Sequence, residues 1–526
     1  MTKDNAKDLF DHYIKILVIA LNDIHKCSFT DYEWRGLLGP WLHYVINNSL
    51  TLYRNQELLP NHLESKQSIL NPGYNTSDTL DIINSEKYLS EFSLLLDLCN
   101  KNKVKEFFFP QEKISLHKAN NLSLIKFFFY KFFNFFFSKK SNDLVVFSDV
   151  QMSPIDILKL GFKIKKSSFY MNDLDFLLQP ELSINFEKRK ELQKRINSEE
   201  GLNFFISWVI SLTIPVIYFE DFDRQRNNFL NKVKIISANC RVIISSTGWY
   251  LNESLKFFSF LSKHPEAKIL AHQHGGNYGV HENLFFEEFE REISDIYVSW
   301  GWEDKNVSVL PSPKLSHLSK YKKYKRNKNK KILYVATTYP KIPTDDRYEI
   351  GCLDRYIDNM RSFLASLNDQ SLVNFILRPY RDQSSQIIYE VWQEFNPEIQ
   401  IEFWSTPLIK SIKSSMLCVC DNLQTTFLES LVSNTPTILY LNKNMRAAKY
   451  KKDHSEFFNL LSKTNIFHPD PVSAARFINK ISESKNAIDE WWFSDEVQTA
   501  RDKYCNKFAL TSDTYIIDWA EQIDQL

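Results

Sequence analysis

The side chains best suited to chemistry concentrate in residues 267–283, AKILAHQHGGNYGVHEN, of this 526-residue chain. Imidazoles and carboxylates can transfer protons, and amides and hydroxyls can hold a polar substrate. The segment contains all of these groups, in His272, Gln273, His274, Tyr278, His281 and Glu282. Three of the 11 glycines of the chain also fall here: Gly275, Gly276 and Gly279. Such a cluster indicates a tight turn or a close approach of the backbone to another group.

A predicted strand positions the side chains of this segment. Residues 269–273 predict a short strand, on which His272 and His274 share a face because they lie two positions apart. The glycine-rich loop follows, and then the acidic segment 282–292. Ligands of α/β sheets bind at loops that follow strand ends. We therefore interpret the loop as a site, with a tight turn whose histidines bond to backbone as the alternative.

The composition limits the classes of protein to which this chain can belong. A chain of this length predicts two domains, and 43% hydrophobic with 25% charged residues predicts a globular fold. The net charge of +1 gives no support to nucleic-acid binding. Seven scattered cysteines without a CxxC pair indicate neither a disulfide framework nor a structural zinc site. The mixed charge of the N-terminus and the lack of a long apolar run predict a cytoplasmic protein.

Short apolar runs alternate with helical patterns from about residue 143 onward, which predicts parallel sheets with helices on both faces. In the first half we predict strands at residues 144–148, 216–219, 241–246, 269–273 and 296–300. In the second half we predict strands at residues 332–336, 375–377, 399–403, 416–420 and 437–441. The predicted divisions are an N-terminal domain 1–318, a basic linker 319–331, a C-terminal domain 332–490 and helices in 491–526 that pack back on the N-terminal domain.

Two further segments are unusual. A helical pattern at residues 7–26 precedes YEWRGLLGPWL, where a packed helix corner is the favoured interpretation and Arg35 is a candidate substrate-binding residue. The run LIKFFFYKFFNFFFSKK, residues 124–140, interleaves lysines with aromatic residues. It is typical of a helix at a membrane interface or of a buried helix. Contact of residues 124–140 and of the linker 319–331 with the inner membrane is therefore one alternative, and ordinary packing is the other.

Polar residues also follow strand ends in the second half. They are Thr337, Thr338, Arg378, Asp421, Thr425, Thr426 and Glu429. Thr425 and Thr426 start a helix whose first N–H groups suit a phosphate, and Glu429 lies one turn further, where it could accept ribose hydroxyls. Taken singly, helix capping and surface salt bridges explain these residues. Three such loops converging on one sheet edge predict a nucleotide pocket.

The order of strand, Asp421, Thr425-Thr426, Glu429, helix, Pro436 and strand resembles the nucleotide-binding domain of GT-B glycosyltransferases. The nearest resemblance is to the capsule Kdo transferases and the CDP-glycerol glycerophosphotransferases. In the first half, YEWRGLLGPWL, HQHGGNYG and YVSWGWED resemble a poorly characterised family of bacterial transferases encoded with surface-glycan genes. The resemblance spans residues 32–492.

The resemblance implies two Rossmann-like domains facing a cleft, with helical additions at both ends. It implies a glycosyltransferase of polysaccharide biosynthesis (capsule or lipopolysaccharide) that needs neither metal nor cofactor. Its donor would be a nucleotide-sugar, a CMP-linked ulosonic acid in the Kdo relatives, and its acceptor a surface glycan or a lipid-linked precursor. The residues carried over are Gln273, His274 and Gly275 for the cleft and Arg378, Thr425, Thr426 and Glu429 for the donor pocket.

Roles follow from the chemistry of transfer, which needs a base at the acceptor and positive charge at the leaving phosphate. We assign His274 as base or phosphate contact and Glu282 as the second candidate base. The candidate substrate-binding residues are His272, Gln273, Gly275, Gly276, Tyr278 and Arg35. Two alternatives stay open: a hydrolase with a metal held by His272, His274, His281 and Glu282, and a non-catalytic scaffold bound to glycan or membrane.

Overall fold

The computed structural model confirms an α/β architecture built on two parallel six-stranded sheets. It describes residues 4–55, 73, 75–76, 95–96, 99, 124–139, 141–171, 177–178, 184–197, 201–282, 284–319, 331–337, 339, 351–381, 385–441, 450–484 and 486–526. Thr338 and residues 320–330 of the basic linker lie outside these described residues.

The first sheet carries the His/Gly loop, which we define as residues 273–282. Its strands are β1 (Leu144–Ser148), β2 (Ser167–Tyr170), β3 (Cys240–Ser245), β4 (Lys268–His272), β5 (Ile296–Ser299) and β6 (Val307–Val309). They lie parallel in the order β2-β1-β3-β4-β5-β6. β1 is buried along its whole length, as expected for a strand with helices on both faces of its sheet. The His/Gly loop follows β4 and therefore leaves from the carboxyl edge.

The second sheet has a doubly wound order. Its strands are β7 (Ile332–Val335), β8 (Phe375–Arg378), β9 (Gln400–Ile401), β10 (Leu417–Cys420), β11 (Thr437–Tyr440) and β12 (Phe467–His468). They run parallel in the order β9-β8-β7-β10-β11-β12, so the winding reverses between β7 and β10. The loops at such a reversal form the crevice in which α/β sheets bind ligands.

Helices surround both sheets. Those of the first half are α1 (Asp4–His25), α2 (Asp31–Arg54), α3 (Leu124–Phe137), α4 (Pro154–Lys163), α5 (Phe186–Ile196), α6 (Gly201–Thr213), α7 (Phe222–Asn239), α8 (Gly248–Leu251), α9 (Glu253–Leu261), α10 (Phe285–Ile293) and α11 (Pro313–Ser319). Those of the second half are α12 (Cys352–Ala365), α13 (Asp369–Leu372), α14 (Ser385–Phe395), α15 (Leu408–Ser414), α16 (Thr425–Val432), α17 (Lys452–Lys463), α18 (Pro471–Ser482), α19 (Ala487–Trp492), α20 (Asp495–Phe508) and α21 (Tyr515–Asp524). In the described part of the chain, none of the helices combines the length and apolar character needed to cross a bilayer.

The strand predicted at residues 216–219 is wrong. These residues form a 3-10 turn after Pro215, in which the Phe219 N–H donates to Val216 O at 3.1 Å. A short buried apolar run does not show by its periodicity which structure it takes. The edge strands β2, β6 and β12 escape sequence prediction because SSFY, VSV and FH are short and, in part, polar.

The C-terminal helix α21 lies against the first sheet. Trp519 is fully buried, its Nε1 donates to Pro311 O at 2.9 Å, and its ring centroid lies 5.1 Å from that of His272. The chain also passes close to Gly301, which has a φ of +122°. An added Cβ there would lie 2.5 Å from the carbonyl oxygen of Asn506 in α20. Glycine at position 301 is therefore required for α20 to approach the end of β5.

Replacement of Gly301 by alanine tests this contact. Because both the backbone angle and the available space exclude a side chain, we expect a loss of about 3 kcal/mol in the free energy of unfolding. Gly201→Ala is the matched control. Gly201 also has a positive φ, but an added Cβ there would lie 3.7 Å from its nearest neighbour, the Tyr53 hydroxyl. We expect about 1 kcal/mol for the control. Equal losses in chemical denaturation would contradict the steric argument.

Candidate active site between the two sheets

The His/Gly loop touches the C-terminal half at the start of α16. An added Cβ on Gly276 would lie 2.6 Å from the carbonyl carbon of Gln424 and 2.9 Å from the backbone nitrogen of Thr425. An added Cβ on Gly275 would lie 3.5 Å from Thr425 Oγ1. The close backbone approach indicated by the glycine cluster is therefore a contact between the two halves. It joins loops that leave the carboxyl edges of both sheets.

The far end of the loop is also fixed to the C-terminal half. His281 forms an antiparallel bridge with Tyr450, and their rings stack with centroids 5.1 Å apart. The Lys451 N–H donates to Val280 O at 2.8 Å, and Lys451 Nζ lies 2.9 Å from Glu287 Oε1. The structure thus places His281 in the junction between the halves.

Gln273 holds the loop within its own half. The side chain is fully buried, and its Nε2 donates to Gly275 O at 2.7 Å. Its Oε1 accepts from the Trp300 N–H at 3.0 Å and from Trp302 Nε1 at 2.8 Å. Gly279, with a φ of +72°, lies against the Trp302 ring, which leaves no room for a Cβ. The HQHGG and WGW motifs are therefore one structural unit, in which the amide of Gln273 supports the loop.

His274 pairs with a buried carboxylate, Glu290 of α10. The His274 side chain is 23% exposed, and its Nδ1 lies 3.2 Å from Glu290 Oε1. The Tyr278 hydroxyl lies 2.9 Å from His274 Nδ1 and donates to the same carboxylate oxygen at 3.0 Å. The Tyr250 hydroxyl donates to that oxygen at 2.5 Å. Two tyrosines and one histidine thus converge on a single oxygen of Glu290.

The electrostatics of this group suit a general base. Burial raises the pKa of Glu290, and hydrogen bonds from His274, Tyr250 and Tyr278 oppose the rise. Burial also raises the pKa of both tyrosines well above the ordinary value, so their hydroxyls remain protonated and donate. A fixed carboxylate orients an imidazole and stabilises its protonated form. The partly exposed His274 ring can therefore take a proton from a substrate hydroxyl.

The four side chains that the metal-hydrolase alternative requires do not lie together in the structure. His272 is fully buried, with Nδ1 3.0 Å from Gln273 O, and burial lowers the pKa of its ring to about 3. His281 lies against Tyr450, as described above, and Glu282 is exposed. Among the residues that the structure describes, no three His, Cys, Asp or Glu side chains form a group that could hold a metal ion. These four side chains do not form a metal site.

Arg35, predicted as a substrate contact, is held by carboxylates. Its guanidinium nitrogens lie 2.9 Å from Asp11, 3.1 Å from Asp31 and 3.4 Å from Glu292. The same group lies over the Phe10 ring at 5.2 Å. The structure therefore places Arg35 where it ties α1 and α2 to the end of α10.

Asp421 organises the carboxyl edge of the second sheet at the reversal between β7 and β10. Its Oδ2 accepts the hydroxyls of Tyr356 at 2.6 Å and Tyr334 at 3.0 Å, and its Oδ1 accepts the Thr337 N–H at 3.1 Å. Asn422 Nδ2 donates to Thr337 Oγ1 at 3.3 Å. Burial raises the pKa of Asp421 to about 6, although these hydrogen bonds oppose the rise. Asp421 thus holds the Thr337 loop in place from inside the domain.

Arg378, predicted as a donor contact, is almost buried and bonded within its own domain. Its Nη1 lies 3.2 Å from Glu402 and donates to Ser411 Oγ at 3.0 Å, and its Nη2 donates to Thr406 O at 2.9 Å. The structure therefore places the Arg378 charge beside Glu402, where it braces the end of β8 against α15.

The start of α16 is the most open part of the predicted donor pocket. Thr425 and Thr426 are half-buried, and no side-chain hydrogen bond caps the helix at Gln424. Unsatisfied N–H groups at a helix start attract anions. Glu429, one turn further, is buried and lies 3.2 Å from Nζ of Lys314 in α11. A second contact between the halves thus lies beside the helix start.

Sequence reasoning misses Glu290, although the chain carries a signal for it. The buried residues of α10 include Phe289, Glu290 and Ile293. A carboxylate within an apolar helical stripe is buried on folding and needs hydrogen-bond partners. Helical periodicity applied to FFEEFEREI would therefore have separated Glu290 from Glu288 and Glu292, which are less buried.

Asp149 is a second residue that sequence reasoning misses. It follows β1 with a φ of +46° and is exposed at the reversal between β1 and β3 in the first sheet. Its Oδ2 accepts from Ser148 Oγ at 3.1 Å and from Asn252 Nδ2 at 3.3 Å, and its carbonyl accepts the Ser246 N–H at 3.2 Å. A polar cluster thus lies at the carboxyl edge that also carries the His/Gly loop.

The structure is an α/β fold with two parallel six-stranded sheets, in which the His/Gly loop of the first sheet contacts the start of α16 beside the second. The chain belongs to the LIC12162 family transferases, since the model of that family matches residues 2–523. No curated protein matches the chain.

Several solved structures resemble this chain weakly. They include an alpha-glucosyltransferase in complex with UDP and a 13-mer DNA, UGT71G1 from Medicago truncatula complexed with UDP-glucose, and WaaG, a glycosyltransferase involved in lipopolysaccharide biosynthesis. The sequence identities are 13%, 10% and 10%, and the TM-scores are 0.36, 0.35 and 0.33. The matches cover 73%, 74% and 72% of this chain and 99% of each of those chains. At such values, the activities of these enzymes do not carry over to this chain.

The buried carboxylate of Asp421 gives a pH test. Its pKa is about 6 in the folded protein against the ordinary 3.8, so the folded state holds its proton more tightly than the unfolded chain does. The stabilisation from that proton is complete below about pH 4 and is lost as the pH rises through about 6. Relative to Asp421→Asn, the wild type should therefore lose up to about 3 kcal/mol between about pH 4 and pH 7.

Denaturation curves at several pH values measure this difference. Asp513→Asn, at an exposed position, is the control and should show a much smaller change. A difference between wild type and Asp421→Asn that does not vary with pH would contradict the expectation.

Proposed function

We propose that the protein is a metal-independent glycosyltransferase that moves a sugar from a nucleotide donor to a bacterial surface glycan or its lipid-linked precursor. The observation that carries this proposal is the position of the His274–Glu290 pair. His274 directly precedes Gly275 and Gly276, which touch the start of α16. A base beside an anion-binding helix start supplies what sugar transfer needs at the acceptor hydroxyl and at the leaving phosphate.

In the proposed reaction, His274 takes the proton of an acceptor hydroxyl while that oxygen attacks the anomeric carbon of the donor. The bond between the anomeric carbon and the phosphate oxygen breaks, and the nucleotide leaves with the bonding electrons. Glu290 stabilises the imidazolium that forms, and Tyr250 and Tyr278 keep its carboxylate in position. After the products leave, the imidazolium of His274 gives its proton to water and the ring returns to its neutral form.

The donor phosphate would lie at the N–H groups that begin α16, beside the hydroxyls of Thr425 and Thr426. Glu429 would accept ribose hydroxyls on the same face, and the loop with Thr337 and Thr338 would complete the pocket. Asp421 and Arg378 would act by shaping the pocket, because their polar atoms already bond inside the domain. This arrangement needs no cofactor besides the nucleotide-sugar.

We further infer that the donor is a CMP-activated ulosonic acid and that the protein works in the cytoplasm. The support is the resemblance of the second half to the Kdo transferases, together with membership of a transferase family. No specific contact favours the metal hydrolase, whose four side chains are separated. A non-catalytic scaffold predicts that nucleotides do not bind.

A matched pair of variants distinguishes between the two candidate bases, His274 and Glu282. Glu290→Gln keeps the shape of the side chain but removes the charge behind His274, so we expect donor-dependent transfer to fall roughly 10²- to 10⁴-fold, as in His274→Ala. Glu282→Gln removes an exposed carboxylate of the same loop and should leave the rate near that of the wild type. Nucleotide binding, measured separately, should persist in all three. Loss of transfer in Glu282→Gln alone would assign the base to Glu282.

A thermal-shift series with CMP, CDP, UDP, GDP and dTDP tests the donor pocket. A ligand that binds only the folded state raises the melting temperature by mass action, and we expect CMP to give the largest rise. Thr426→Val should reduce that rise, whereas Thr514→Val, at an exposed position far along the chain, should not. A rise with UDP, GDP or dTDP alone would change the sugar class. No rise with any nucleotide would favour the scaffold.

A further inference from the structure

Several aromatic side chains of helix α3 are exposed to solvent. Phe128, Phe132, Phe135 and Phe136 are between 53% and 79% exposed, whereas Phe133 and Phe137 are buried against the first sheet. The four exposed rings have spacings of four, three and one, which places them on one side of the helix. A helix on the surface of a globular protein normally turns polar side chains to water. α3 therefore has a second apolar face that the described part of the chain does not cover.

Helix α4 extends the same surface. Ile155 and Phe162 of α4 are 64% and 73% exposed, whereas the opposite side of α4 is buried. Gly161 lets the two helices approach, since an added Cβ would lie 2.9 Å from the Phe133 ring. The rings of Phe162 and Phe137 meet edge to face with centroids 4.9 Å apart. We call these six exposed side chains and the lysines between them the aromatic–lysine face.

Positive charge accompanies the exposed rings. Lys131 is exposed on α3, Lys139 is exposed just after the end of α3, and Lys159 and Lys163 are exposed on α4. Residues 124–166 contain eight lysines and three aspartates, a net charge of +5, whereas the whole chain has a net charge of +1. Of the aspartates, Asp156 is buried and its Oδ1 lies 3.6 Å from Lys159 Nζ. The apolar surface formed by α3 and α4 thus also carries a net positive charge.

The aromatic–lysine face lies beside the edge of the sheet that carries His274. Asn134 of α3 donates to Tyr170 O at 2.9 Å and accepts the Tyr170 N–H at 2.6 Å. Tyr170 ends β2, so these bonds fix the last turn of α3 to the carboxyl edge of the first sheet. The ring of Tyr130 stacks on that of Tyr170, with centroids 3.8 Å apart.

We propose that the aromatic–lysine face docks on the surface of a bilayer that contains anionic lipids. Aromatic rings insert at the boundary of headgroups and acyl chains, and lysines bind the acidic headgroups while their stems stay in contact with apolar surface. Charge complementarity favours this occupant over a second copy of the chain, because two such faces would bring like charges together. Docking does not depend on the proposed transfer reaction. It would hold the His/Gly loop close to the membrane, where a lipid-linked acceptor would lie.

Vesicle flotation of the full-length protein tests the docking. The probes are phosphatidylcholine vesicles with and without phosphatidylglycerol. The wild type should bind the anionic vesicles, and the triple variant Phe132→Ser/Phe135→Ser/Phe136→Ser should bind at least about tenfold more weakly. Lys131→Gln/Lys139→Gln should also weaken binding and reduce its dependence on salt. The matched control Ile235→Ser/Val373→Ser/Phe403→Ser removes three equally exposed apolar side chains elsewhere and should bind as the wild type does.

Three results would overturn the proposal. They are wild-type protein that does not bind anionic vesicles, a triple variant that binds as tightly as the control, and a wild-type dimer in sedimentation that only the triple variant dissociates. The last result would show that a second copy covers the face. Thermal unfolding of each variant verifies folding, and because the replaced rings are exposed, the melting temperature should stay near that of the wild type. The vesicle assay uses neither donor nor acceptor, so its outcome is separate from that of the transfer assays.

Discussion

The contact between the backbones of Gly276 and Gln424 is the constraint on which the rest of the site depends. With an added Cβ only 2.6 Å from the carbonyl carbon of Gln424, the contact admits no side chain larger than hydrogen. It fixes the loop that follows β4 against the start of α16, so elements about 150 residues apart in sequence share one site. Gln273, Trp302 and Tyr450 hold the loop on either side of this contact. A chain with so little glycine thus uses it where two backbones must touch.

Each half of the protein contains a buried carboxylate that accepts hydrogen bonds from two tyrosine hydroxyls. Glu290 accepts from Tyr250 and Tyr278 in the first half, and Asp421 accepts from Tyr334 and Tyr356 in the second. A buried carboxylate is costly unless it is hydrogen-bonded, and tyrosine supplies a donor on a large apolar ring. The two carboxylates differ in their other hydrogen-bond partners. Glu290 faces a partly exposed histidine and can support chemistry, whereas Asp421 faces a backbone N–H and supports a loop.

Charged and apolar side chains are arranged differently in different parts of the N-terminal half. Charges near the core, such as Arg35, are compensated by carboxylates from neighbouring helices. On α3 and α4, exposed lysines accompany exposed aromatic rings, and Lys159 also pairs with Asp156. A net charge near zero for the whole chain therefore conceals a strongly basic surface, because the compensating acids lie elsewhere. Local charge, and not the total, determines which surfaces this protein can bind.

The sequence by itself determined the elements whose signals are local. Strand β1 and helix α16 lie where periodicity places them, because apolar spacing acts within a few residues. The glycine cluster likewise indicated a close approach before its partner was known. Only the tertiary structure decided that this partner is Gln424, that Glu290 rather than Glu282 lies behind His274, and that Arg378 bonds to Glu402. Whether a charged side chain meets solvent, a ligand or another side chain depends on packing between distant segments, and no local pattern contains that information.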